Sequence, residues 1–536
     1  MKKKNVLNKP GSASKDVFRK NNPLNKLRQH PILILLVINL VLGLMTFRSY
    51  GLSWDEPLFY DYGAALRYAY TPANWFRADF NLENSFGSSG TDHANRGPAY
   101  LLIASPFVSL LEQIGLDLAS AWHLVNFLTF QLGIYLLYRL ASKWTRRESA
   151  LAAAALFSWQ PLLWGHAFIN PKDIPFLTFF LGAVCFGFEM VDAWIQEQKL
   201  PVNKILLASI FLGITTSIRV LGPLAGLLTG LYALTYWKKI QLGSLLKIFA
   251  IYAGLTILFT FITWPYLWLN PLQKFVEVFG FMSDNPTQLN VLFAGSNYQA
   301  GELPHRYFPL LLGYTLSEPV YILTVLGLLF GFWKSDTKKW LELGVLSFWF
   351  GVLLLYILVK RPAMYDGYRH FLFILPPLFI FSGIAFDRLF EWLQAAVWKI
   401  TVSLVILAFG ILPIVQLHPY QYAYYNNFAS GVGGAFREYE TEFWLTCYRE
   451  AVLDFNKIAP DGAQLFVRRE PYIAAYYADP KITIRDFRTE QKNMKPGDYY
   501  LANSRSNEDL RFLRDEPAVV DISRLGATFC VIKQVP

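Results

Sequence analysis

Cysteine is scarce. Three occur in 536 residues, Cys185, Cys447 and Cys530, which is too few for a disulfide scaffold or a cysteine-rich zinc site. Cys185 sits in an apolar run, whereas Cys447 and Cys530 share a polar tail and can pair if that tail faces an oxidising space. Charge is scarce as well, at 16% of residues, and together with 17% aromatics this excludes a disordered chain. Several signatures are missing altogether. There is no Walker A pattern, hence nothing that points to a nucleotide-driven pump. Neither a His-Glu-x-x-His metalloprotease motif nor a Gly-x-Ser-x-Gly hydrolase elbow occurs. No recognisable fold is present for a soluble donor such as a nucleotide sugar, and no internal repeat is found.

What is present is apolar. Hydrophobic residues make up 54% of the chain, and the net charge of +10 falls in clusters between long apolar runs. That is the pattern of a multi-span membrane protein, and no nucleic-acid partner is expected. A mean hydropathy of only +0.29 requires a sizeable soluble part. Residues 1–30 are basic and polar without the apolar stretch of a cleaved signal, and read as a cytoplasmic tail. Eleven runs read as spans: 31–47, 121–140, 150–164, 174–194, 204–219, 222–237, 245–264, 308–333, 340–359, 371–393 and 397–417. A further apolar run, 98–116, reads either as a span or as a helix in the interface. The positive-inside rule favours the interface. Arg139, Lys143, Arg146 and Arg147 then fall on the cytoplasmic side, as do Lys238-Lys239 and Lys338-Lys339. The expected organisation is a membrane domain over 31–417, with a large first outer loop at 48–120 and a further outer loop at 265–306. A polar tail, 418–536, lies outside. Its segments at 464–467 and 519–522 alternate like strands and 448–458 is amphipathic, which predicts a small α/β domain.

On this topology the ionisable residues near the outer span ends form one group: Asp55, Glu56, Arg96, His166, Lys172, Asp173, Arg361, Asp366, Arg369 and His370. Such groups are costly close to a membrane and tend to mark function. Asp55-Glu56 suits a general base or a metal ligand, or else a helix start. The loop 165–176 holds His166, Asn170, Lys172 and Asp173. Lys172 there either binds a phosphate or snorkels, and Asp173 either orients a ligand or caps the next helix. Asp366, Arg369 and His370 precede Pro376-Pro377 and are either phosphate ligands or part of an interfacial belt. Arg219, close to a span end, reads equally as a ligand or a snorkelling side chain. His418, Tyr420, Tyr422, Tyr424 and Tyr425 either stack on sugar rings or form a belt, with the belt favoured.

These pieces, in this order, resemble the GT-C membrane glycosyltransferases, specifically bacterial relatives of the dolichyl-phosphate-mannose–protein mannosyltransferases (glycosyltransferase family 39-like). The resemblance covers about residues 30–417. It rests on Asp55-Glu56, on His93-Ala94-Asn95-Arg96-Gly97-Pro98, on Asn170-Pro171-Lys172-Asp173-Ile174-Pro175 and on Tyr368-Arg369-His370 before Pro376-Pro377. His418-Pro419-Tyr420-Gln421-Tyr422 adds to it. The resemblance implies a GT-C fold of about 11 spans and a polyprenyl-phosphate-linked sugar as donor. The acceptor would be a periplasmic glycan, lipid or protein, transfer would be inverting, and the protein would lie in a bacterial inner membrane. Asp55 would be the general base with Glu56 in support. Arg96, Lys172, Asp173, Arg369 and His370 would hold the donor phosphate, and His166, Asn170, Asp366 and Tyr422 would contact substrate. No cofactor is implied with certainty. A divalent metal on Asp55, Glu56 and Asp173 is compatible but not demanded. A transporter or flippase of lipid-linked sugars is the alternative, and it would place charges at mid-membrane on broken spans.

Overall fold

The computed structural model describes residues 30–88, 90–197, 199–283 and 287–536. The basic tail expected at 1–30 lies almost wholly outside the described residues. Six helices among the described residues are long and apolar enough to cross a membrane: Ile32–Ser49, Leu118–Ala141, Asp173–Glu197, Leu242–Thr263, Thr337–Lys360 and Ala396–Gln416. They make the chain a multi-pass membrane protein. Each of the other expected runs is also helical. Val202–Ile218 and Pro223–Leu234 are shorter, and three runs are interrupted.

The interruptions have local causes. Run 150–164 divides into Arg147–Ser158 and Pro161–Ile169, because Pro161 has no N–H to continue the first helix and instead starts the second. Run 308–333 divides into Tyr307–Thr315 and Glu318–Phe332, which meet at 104°. Run 371–393 opens as a short 3-10 segment, Arg369–Ile374, and becomes α-helical at Pro376. Backbone groups freed at the first two breaks are stitched to each other. Gln160 Nε2 donates to Leu156 O at 3.1 Å and to Ser317 Oγ at 2.8 Å, and its Oε1 accepts from Ser317 N at 2.9 Å. In an apolar medium such groups need a protein partner.

Helix Asp173–Glu197 is the axis of the bundle. It is buried along nearly its whole length and packs against Leu118–Ala141, Val202–Ile218 and Pro223–Leu234. Its two ends differ chemically. The Asp173 end carries the cavity described below. The far end is held by closed ion pairs: Arg139 and Lys204 on Glu189, and Lys143 with Tyr232 and Tyr236 on Asp192. Run 98–116 forms helix Ala99–Gln113. It buries Tyr100, Leu101, Ala104 and Val108 against the protein and exposes Phe107 and Leu110.

The polar tail folds as an α/β domain on the Asp173 end. Its five strands run in the order Thr483–Asp486, Gln464–Val467, Tyr499–Asn503, Ala527–Gln534, Ala518–Arg524. The first three are parallel and the last two antiparallel to their neighbours. The amphipathic helix Cys447–Ile458 packs on this sheet, and Cys447 is disulfide-bonded to Cys530 in strand Ala527–Gln534.

Candidate active site

Asp55 and Glu56 are neighbours with opposite surroundings. Asp55 stands at the N-cap of helix Glu56–Ala65, yet its side chain makes no capping hydrogen bond. The carboxylate turns instead to Arg369, whose Nη2 is 3.2 Å away, and remains 23% exposed. One residue on, at the start of the helix, the side chain points inward. Glu56 is fully buried, accepting from Ser53 N at 2.6 Å and from Tyr60, with His123 Nε2 at 3.1 Å. The structure therefore does not bring Glu56 to the cavity; its contacts hold the segment that presents Asp55.

The Asn170 turn arranges the next group. Asn170 Oδ1 accepts from Lys172 N at 3.1 Å and Asp173 N at 2.7 Å, and its Nδ2 donates to Asp173 Oδ2 at 2.9 Å. This side-chain turn sends Lys172 across the face of Phe59, 5.2 Å from the ring centre, into the cavity. Asp173 points the other way and is gripped by Arg219 and by Arg369 Nη1 at 3.0 Å. Its role in the geometry is to anchor two arginines. Arg369 is the hub, in reach of Asp55, Asp173 and, at 3.3 Å, Asp366, with its guanidinium over Trp444 at 4.9 Å. Gly97 completes the ring. A Cβ there would sit 1.5 Å from Ser217 O, so only glycine lets the Arg96 loop approach the end of helix Val202–Ile218, beside Arg219.

These elements enclose a cavity of about 1180 Å³, counting its open mouth. Asp55, Arg96, Lys172, Arg219, Arg369 and His370 form its polar side; Leu221, Trp264, Val278, Phe281, Met282 and Tyr356 form an apolar side. Four cationic side chains here carry a buried N–H with no partner: Arg96 Nε, Lys172 Nζ, Arg219 Nε and Arg369 Nε. Buried donors are normally paired, so this convergence fits an anion. Burial, with Arg219 and Arg96 beside it, holds the Lys172 ammonium well below its usual range. Burial and Arg369 do the same to His370, which stands edge-on to Tyr365 at 4.9 Å.

The remaining expected residues lie elsewhere. His166 is buried edge-on to Trp444 and does not line the cavity. Asn170 is consumed by its turn. Asp366 is buried behind Arg369, bonded to Trp444 Nε1 at 2.9 Å and to Arg505. Tyr422 donates to Glu442 and is 2.9 Å from Thr446 Oγ1. With Tyr420 on Glu450 at 2.7 Å and His418 at 2.6 Å from Ser49, it belongs to the joint between bundle and tail domain. Tyr422, Tyr424 and Tyr425 are buried there and line a second, smaller cavity together with His166, Asp366 and Arg369. Among the described residues no three His, Cys, Asp or Glu side chains gather to hold a metal ion. Asp55 and Asp173 face arginines instead, so the donor set does not fit one. Sequence reasoning left Arg219 open and missed Trp54, which stands beside Asp55, as well as Trp444 and Arg505, which lie far from any motif.

No protein-family model and no curated protein matches the chain. Solved structures do. The chain is similar to ArnT from Cupriavidus metallidurans in the apo state, with 15% identity and a TM-score of 0.51 over 93% of this chain and 97% of that one. A second ArnT structure, bound to undecaprenyl phosphate, aligns over the same shares with 15% identity and a TM-score of 0.48. Arabinofuranosyltransferase AftD from mycobacteria aligns at 13% identity and a TM-score of 0.44, over 94% of this chain and 40% of that one. The likeness to apo ArnT shows a shared fold: the chain has the GT-C fold, a helical membrane bundle with a small C-terminal sheet domain.

Proposed function

We propose that the chain is an inverting glycosyltransferase that moves a sugar from a polyprenyl-phosphate donor to a periplasmic glycan, lipid or protein. One observation carries the reading: four unpartnered cationic donors and one partly exposed carboxylate, Asp55, meet in a cavity with an apolar flank. The sugar–phosphate linkage of the donor carries one negative charge and the released lipid phosphate carries two. Cations fixed beside it therefore stabilise the transition state more than the ground state. The acceptor hydroxyl oxygen bonds to the anomeric carbon as the bond from that carbon to the phosphate oxygen breaks. Asp55 takes the hydroxyl proton. Lys172, Arg96, Arg219 and His370 hold the departing phosphate, Arg369 holds Asp55, and the apolar flank receives the first isoprene units. The cavity and tail domain lie on the periplasmic side of a bacterial inner membrane in this reading. The Cys447–Cys530 disulfide supports that placement, since such bonds persist in oxidising spaces.

The test is a transfer assay on purified protein in lipid with a panel of polyprenyl-phosphate sugars. Wild type should release lipid phosphate, and Asp55→Asn should lower kcat about 10²- to 10⁴-fold, the usual range for a general base. Donor binding without release in either protein would favour a lipid-linked sugar flippase. Absence of donor binding would overturn the reading.

A further inference from the structure

The tail domain reaches the site through one buried arginine. Arg505 follows strand Tyr499–Asn503 by two residues and is 1% exposed. Its Nη1 donates to the Asp366 carboxylate and, at 2.8 Å, to Phe443 O. Its guanidinium lies over the indole of Trp54, 4.5 Å from the ring centre. Each contact leads one step further in. Trp54 immediately precedes Asp55. Asp366 is shared with Arg369, and Arg369 holds Asp55. Arg505 thus bears on Asp55 from two directions, through its chain neighbour and through an alternating run of carboxylates and guanidiniums. Trp444, also from the tail domain, braces the same run with its hydrogen bond to Asp366 and its ring against Arg369.

Charge balance gives this arrangement a consequence. Asp366 is buried, with no solvent to screen it. While Arg505 neutralises it, Arg369 is available to Asp55 and Asp173. Without Arg505, the buried carboxylate has a single cation within reach, and an unpaired buried charge is costly enough to draw that cation over. Arg369 would then leave Asp55. We infer that Arg505 is a positioning residue for the Asp55–Arg369 pair, so that the tail domain completes the transfer site. The inference rests on the proposed sugar-transfer reading of the cavity.

The experiment uses the full chain in lipid nanodiscs and the variants Arg505→Met, Asp366→Asn and the double variant. Two readouts are taken on each: kcat for lipid-phosphate release, and the Kd of undecaprenyl phosphate. Arg505→Met should lose about 10- to 100-fold in kcat, by analogy with the loss of outer partners of metal ligands, and should bind the lipid phosphate more weakly, because the Asp55 carboxylate, left without its arginine in the same cavity, repels the anion. The double variant should regain about tenfold or more of that loss, since no bare carboxylate then competes for Arg369. A packing anchor would show no such rescue, so equal losses in single and double variants overturn the inference. So does an Arg505→Met protein with wild-type kcat and Kd. If Arg505→Met fails to fold, Asp366→Asn is compared with the double variant. Both should behave alike within about threefold, and a further tenfold loss on removing Arg505 overturns the inference. If wild type turns over no donor, the transfer reading fails, and the recovery of lipid-phosphate binding still decides for or against Arg505.

Discussion

Lys172 ends its four-carbon stem in a place where its neighbours on the cavity wall, Arg96 and Arg219, are also cations. Burial and those two charges press it toward the neutral form, and a phosphate entering the cavity presses it back. His370 is under the same two influences, burial and Arg369. The sign is therefore fixed: both groups gain affinity for protons when an anion binds. At about pH 8, where the free lipid phosphate has already lost its second proton, binding of undecaprenyl phosphate should be accompanied by net proton uptake. Calorimetry in buffers of different ionisation heat measures it, and the uptake should fall in Lys172→Met. Proton release on binding would mean that Lys172 is not in contact with the phosphate. Loss of Lys172 should also raise the transfer barrier by about 2–4 kcal/mol, as for other lost charge-stabilising donors. At this scale much of the cavity was legible. Asp55, Arg96, Lys172, Arg369 and His370 stand out because ionisable side chains beside long apolar runs need a reason to be there. Glu56 has the same signature and faces away, since successive helical side chains diverge by about 100° and sequence alone does not say which one faces inward. Arg505 has no such signature. It lies in a polar domain where arginine is unremarkable, and only the fold brings it to Asp366.

The broken helices show how an element can be read correctly in extent and wrongly in shape. Runs 150–164 and 308–333 are largely apolar and read as single spans. Pro161 marks the first break, and Pro319, in the first turn of the second helix, marks the 104° bend at residues 316–317, since it has no N–H to bond back to Thr315. Gln160, more than 150 residues upstream, supplies the partners for the Ser317 N–H and hydroxyl at that bend. Such a pairing between distant breaks leaves no periodicity to detect. Broken spans were also a mark of the transporter alternative. Here the break is closed by internal hydrogen bonds, and the unpartnered cations gather at the end of the bundle. The stitch makes a sharp prediction. Gln160→Leu is close in volume but orphans Ser317 N and Leu156 O in an apolar setting. Each buried unsatisfied group costs about 1–3 kcal/mol, so the variant should lose about 2–4 kcal/mol of stability. Thermal unfolding in detergent with and without the substitution measures this. An unchanged Tm would mean that other groups satisfy the bend.

The two ends of the molecule make different demands, and the disulfide joins the site to one of them. The far end of the bundle is closed by ion pairs on Glu189 and Asp192 and carries the basic residues that favour a cytoplasmic location. The Asp173 end carries the cavity, the tail domain and the Cys447–Cys530 bond. The overall fold followed from apolar runs and charge clusters because the bilayer constrains both. The docking of the tail did not, because it depends on single buried contacts such as Trp444–Asp366 rather than on any pattern. Cys447 lies three residues after Trp444, and Cys530 pairs in register with Asn503, two residues before Arg505. The bond therefore clamps together the two segments that brace Asp366 and Arg369. It closes a separation of 83 residues, for which a contribution of about 2–4 kcal/mol is typical. Cys447→Ser should lower the Tm of the full chain accordingly. It should also reduce kcat more than it weakens donor binding, because Lys172, Arg96 and Arg219 belong to the bundle whereas Arg505 and Trp444 belong to the tail. In protein taken from membranes under non-reducing conditions, both thiols should resist alkylation until a reductant is added. Ready alkylation before reduction would place the tail on the reducing side and overturn the proposed orientation. A Cys447→Ser protein with wild-type kcat and a lowered Tm would mean that the bond holds the tail domain together but contributes nothing to how Asp55 and Arg369 are held.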